Sequence, residues 1–142
     1  MTNYIHRLLA SPTASKFDMV FDCETSTANG WKLSIQGKKP EDAIFLFDAL
    51  EDFLSGNAIP FKVATAKRFD NSDKEQSKKA MTVYCPDSMS ITDLAEAVYS
   101  RIMGYTGWHN IKTPNGYECY ACGVMMRNDR NENGAYVPAK NS

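Results

Sequence analysis

Residues 31–54 read Trp31-Lys32-Leu33-Ser34-Ile35-Gln36-Gly37-Lys38-Lys39-Pro40-Glu41-Asp42-Ala43-Ile44-Phe45-Leu46-Phe47-Asp48-Ala49-Leu50-Glu51-Asp52-Phe53-Leu54, and their hydrophobic period changes partway. Over 31–35 the alternation predicts a strand with Trp31, Leu33 and Ile35 on one face and Lys32 and Ser34 on the other. From Pro40, the positions of Ala43, Leu46, Phe47, Leu50, Phe53 and Leu54 follow a helical stripe, predicting an amphipathic helix over 40–54. Pro40 suits a first helical position, where an N–H would have no partner. Glu41 and Asp42 complement the positive end of the helix dipole, and Ser55-Gly56-Asn57 supplies a stop.

The rest of the chain repeats these two periods. Ile91, Leu94, Ala95, Val98, Tyr99, Ile102 and Met103 form a second helical stripe, with Ser90 and Asp93 at capping spacing and Gly104 at the end. Phe61-Lys62-Val63 alternates, leaving Lys62 alone on the face opposite its apolar neighbours. Met81-Thr82-Val83-Tyr84 reads as a strand bounded by Pro86, and Tyr117 to Met126 as one long strand after the turn Pro114-Asn115-Gly116. Phe17 to Cys23 reads as a further strand and Tyr4 to Leu9 as a short helix. Residues 67–79 are polar and loop-like. The expected fold is a single α+β domain, a mixed or antiparallel sheet packed by two main helices on one face. Residues 1–29 form an N-terminal helix and strand extension, 30–136 the main domain, and 137–142 a loose tail.

Composition excludes several classes. The 142 residues carry 16 Lys+Arg against 17 Asp+Glu, a net charge of −1, with 43% hydrophobic and 23% charged residues. These are the proportions of a folded globular domain, not of a disordered chain or a disulfide miniprotein. A mean hydropathy of −0.43 and the lack of a long apolar run argue against a membrane span. The N-terminal residues show no signal-peptide pattern, and Cys23, Cys85, Cys119 and Cys122 are too scattered for a secreted disulfide framework. The expected location is cytoplasmic, with four free thiols.

Cations carry the chemical signal. Lys32 and Lys62 each stand mid-strand on the polar side, and strands sharing a sheet would project both ammonium groups the same way. Lys67, Arg68, Lys74, Lys78 and Lys79 then outnumber Asp70, Asp73 and Glu75. Arg127 follows Val124-Met125-Met126, with Arg130 close behind. Converging Lys and Arg side chains suit a phosphate, because charge-assisted hydrogen bonds offset its desolvation. A solvated charged surface is the alternative reading.

Four blocks occur in a recognisable order: Gly30-Trp31-Lys32-Leu33-Ser34-Ile35, Pro60-Phe61-Lys62-Val63, Lys79-Ala80-Met81-Thr82-Val83-Tyr84 and Met126-Arg127-Asn128-Asp129. In this order the chain resembles the phosphothreonine lyases of bacterial type III effectors. It is also similar to the N-terminal lyase domains of class III lanthipeptide synthetases. The resemblance spans roughly residues 30–136. It implies a phosphoserine/phosphothreonine lyase that eliminates phosphate without consuming water or using a cofactor. Lys62 inherits the role of base and Arg127 that of phosphate clamp. Lys32 contacts phosphate or polarises the neighbouring carbonyl, and Lys79, Arg68 and Arg130 are further phosphate-binding candidates.

One position departs from the pattern. The general-acid histidine of the family's Lys-x-His strand is Ser34 here. A serine hydroxyl is a poor proton donor, and general acid catalysis contributes about 10²–10⁴-fold. His6 and His109 are the two histidines of the chain, and His109 is the candidate substitute. The departure leaves a second class open: a non-catalytic binding or inhibitory module using the cationic pocket or the aromatic loop Gly104-Tyr105-Thr106-Gly107-Trp108-His109-Asn110. The expected partner in either case is a phosphorylated peptide or protein. Strand alternation sets Cys119 and Cys122 on opposite faces, which disfavours a metal site. Tyr99, Tyr105, Trp108, Tyr117 and Tyr120 near Arg101 and Lys112 could stack on bases, but a pI of about 6.1 argues against a nucleic-acid partner.

Overall fold

A computed structural model describes residues 30–64, 79–105, 116–121 and 123–128, together with the backbone of 19–20. Its elements are β1 (Met19–Val20), β2 (Trp31–Gln36), α1 (Pro40–Gly56), β3 (Phe61–Ala64), β4 (Lys79–Tyr84), α2 (Ile91–Ile102), β5 (Glu118–Ala121) and β6 (Val124–Asn128). The strands form one sheet in the order β1-β3-β4-β2-β6-β5. Every pairing is antiparallel. Strands β2, β3, β4 and β6 with helices α1 and α2 make a split β-α-β-β-α-β arrangement of the ferredoxin-like kind. The β5 strand is added at one edge and β1 at the other.

The fold is the expected single α+β domain, with an antiparallel sheet. Leu33, Ile35, Val63, Met81, Val83 and Val124 are fully buried together with Leu46, Leu50 and Leu54 of α1 and Leu94 and Val98 of α2. One sheet face is therefore dry and covered by both helices. Burying each such side chain contributes about 1.5–3 kcal/mol against leaving it in water.

The helix ends follow from local chemistry. Asp42, at the third position of α1, is buried, and its carboxylate accepts the backbone N–H groups of Lys38 at 2.6 Å and Lys39 at 3.2 Å. It thus supplies acceptors that the preceding Lys39 lacks. The same carboxylate accepts the hydroxyl of Tyr105, whose ring stacks on Phe45 at 4.2 Å. The start of α1 is thereby tied to the segment following α2. Tyr105 of the aromatic loop is accordingly a packing residue; residues 106–110 of that loop lie outside the described residues. Ser90 caps α2 as expected, its hydroxyl accepting the Asp93 N–H at 3.1 Å.

Three sequence readings change. The span 117–126 is two strands, because Gly123 turns the chain at φ +80°, a conformation that disfavours side chains with a Cβ. Lys79 is the first residue of β4, not the end of a loop, and is 7% exposed. Met103 follows the last turn of α2 and is 62% exposed, since the helix ends before the residue reaches the core. The expected strand 17–23 is described at Met19–Val20 alone, and the short helix 4–9 and the tail 137–142 lie outside the described residues.

Candidate functional site

The second sheet face, opposite the helices, gathers the cations. Lys62 stands between buried Phe61 and Val63 and projects away from them. In register it opposes Thr82, which opposes Ser34, which in turn opposes Met125 of β6. Directly paired residues of antiparallel strands share a face, so Lys62, Thr82, Ser34 and Met125 form a row across the sheet. A neighbouring row runs Tyr84, Lys32, Arg127. On the other side of the Ser34 row, Gln36 opposes Lys79 past a register shift. Lys32, Lys62, Lys79 and Arg127 thus lie on one face. Glu118, the acidic residue of the described strands, opposes Met126 and has the contrary parity to Arg127.

Aromatic rings lie among these cations. The Lys62 ammonium sits 5.5 Å from the centre of the Tyr84 ring. Lys79 Nζ donates to the Tyr117 hydroxyl at 2.9 Å and lies 4.7 Å from that ring's centre. The Arg127 guanidinium is 5.9 Å from the same centre. Two cations from strands on either side of β2 therefore meet at Tyr117, and both are 7% exposed. A cation held out of bulk water attracts an anion more strongly, because less solvent screens the pair. The hydrogen-bond donors of ammonium and guanidinium groups match phosphate oxygens.

Ser34 lies at the middle of the face, 1% exposed, and its Oγ has no hydrogen-bond partner among the described residues. A buried hydroxyl in that state is an uncompensated polar atom in the middle of the face.

The site residues read from the sequence divide accordingly. Lys32, Lys62, Ser34, Lys79 and Arg127 share one face. His109, Arg68 and Arg130 lie outside the described residues. Sequence reading missed Tyr117 and Tyr84 as companions of the cations. The β5–β6 hairpin carries the register from Glu118 opposite Met126 to Tyr117 beside Arg127, a pairing that no local spacing states.

Other signals resolve as packing. Tyr99 and Tyr120 meet edge to face at 6.3 Å and pack against the core. The Arg101 guanidinium lies 3.9 Å from the Phe53 ring. Cys85 is buried, with its thiol 3.2 Å from the Met89 carbonyl, and Cys119 is exposed. Among the described residues no cluster of His, Cys, Asp and Glu could hold a metal ion, and no helix is long and apolar enough to cross a membrane. No family model matches the chain, and no curated protein matches its sequence.

Proposed function

We propose that the cationic face binds the phosphate of a phosphorylated serine or threonine side chain and eliminates it. The observation that carries this reading is the placement of Lys32, Lys62, Lys79 and Arg127 on one sheet face in adjacent rows. The resemblance of the four sequence blocks supplies the reaction. The amine form of Lys62 takes the Cα proton of the phosphorylated residue. The electron pair of the Cα–H bond forms the Cα=Cβ bond, and the Cβ–O bond breaks with its pair going to phosphate. Arg127 and Lys79 hold the phosphate and stabilise the charge that grows on it. Lys32 polarises the adjacent peptide carbonyl or adds a phosphate contact. Water is not consumed.

Ser34 supports a second reading. With a hydroxyl where the resembling families have a proton donor, the face serves recognition alone, as a binding or inhibitory module for a phosphorylated protein.

Mass spectrometry of phosphothreonine and phosphoserine peptides incubated with the purified chain decides between them. The expected result is a peptide that has lost the elements of phosphoric acid and carries a dehydrated residue. Lys62→Ala should abolish this product with little loss of stability, since a half-exposed strand lysine contributes little to folding. Undiminished product in that variant would remove Lys62 from the role of base. Tight peptide binding without product would establish the recognition module, and neither binding nor product would discard the phosphate reading.

A further inference from the structure

A departing phosphate needs a proton, and four hydroxyl side chains stand among the described cations: Ser34, Thr82, Tyr84 and Tyr117. The aliphatic hydroxyls of Ser34 and Thr82 hold their protons far more tightly than a phenol, whose ordinary pKa is about 10. Tyr84 turns its ring towards Lys62, the proposed base. Tyr117 stands differently. Its oxygen accepts a hydrogen bond from the buried Lys79 ammonium at 2.9 Å. An ammonium has three donors and no acceptor, so the proton of Tyr117 points away from Lys79. The buried Arg127 guanidinium lies beside the same ring at 5.9 Å. Both cations stabilise the phenolate that forms when the proton leaves, the condition under which a tyrosine donates well.

The geometry points to Tyr117 as the general acid of the elimination, protonating the phosphate oxygen as the Cβ–O bond breaks. This role depends on the lyase activity proposed above. In the balanced step, Lys62 takes the Cα proton and becomes an ammonium, and the C–H pair becomes the alkene. The Cβ–O pair goes to the bridging oxygen, and the Tyr117 proton joins that oxygen. Tyr117 is left as a phenolate between Lys79 and Arg127, and it recovers a proton from solvent as Lys62 releases one. The face then carries its own proton donor without a histidine at position 34.

Tyr117→Phe tests the role, because it keeps the ring beside Lys79 and Arg127 and removes only the hydroxyl. With a phosphothreonine peptide and mass-spectrometric detection, kcat should fall about 10²-fold or more, the usual contribution of a general acid, while KM changes little. A second variant carries 3,5-difluorotyrosine at position 117, whose phenol is more acidic. It should move the alkaline limb of the rate profile to lower pH, a readout that a purely structural tyrosine would leave in place. Unchanged kcat in Tyr117→Phe, or an unmoved alkaline limb in the fluorinated protein, overturns the role of Tyr117 and leaves a Lys62-dependent lyase standing. Wild-type protein that forms no dehydrated product overturns both. If Tyr117→Phe does not fold, the fluorinated protein alone decides.

Discussion

Ser34 combines burial with an unanswered hydroxyl, and the two have opposite consequences for folding and for binding. A buried hydroxyl without a partner costs about 1–3 kcal/mol. Ser34→Ala should therefore raise the stability of the free protein by about 1 kcal/mol, seen as a higher denaturant midpoint at an unchanged slope. The same variant should bind phosphopeptides less tightly, because the hydroxyl faces the side that carries the cations. A fall in stability would show that the hydroxyl is already satisfied. The placement of Lys32, Ser34 and Lys62 on the polar side was legible in the chain, since strict alternation decides a strand residue's face without reference to any partner. Tyr117 was not legible as a site residue. Its position beside Lys79 and Arg127 depends on contacts between β4, β6 and the start of β5, which local spacing does not encode.

The link from β2 into α1 is closely packed at Gly37. A Cβ added at Gly37 would lie 2.8 Å from the Cβ atoms of both Ala80 and Asp42. Neither neighbour can yield cheaply, because one belongs to β4 and the other anchors the start of α1. Gly37→Ala should cost about 1–3 kcal/mol, the usual range for overpacking, measured by chemical denaturation. A neutral result would mean that the junction opens without loss. Both helices were readable in the sequence because a stripe of six or seven apolar residues leaves little ambiguity about period. Their ends were less so: α1 runs on through Gly56, and α2 stops at Ile102. The division of 117–126 into two strands turned on a single residue, Gly123, inside a run whose composition favours strand throughout.

Across the molecule, β2 is the strand on which the rest is hung. It pairs with β4 on one side and β6 on the other, while its two faces meet the helices and the cationic site. The backbone amides of Leu33, Ser34 and Ile35 should be among the slowest to exchange with solvent deuterium, and those of Glu118 to Ala121 on the outermost strand much faster. Equal rates would mean that the sheet opens as one unit instead of from its edges. Fold class was legible from the alternation of periods, whereas strand order was not, since no local pattern states that Leu33 will lie between Val83 and Met126. That same order bears on synthesis. A chain emerging from the ribosome presents β2 and α1 before β4 and β6, the partners that close the two edges of β2. Until Arg127 has left the exit tunnel, the central strand keeps an open edge and the cationic face lacks its guanidinium. Nascent chains stalled before β6 should therefore be the species most in need of a chaperone.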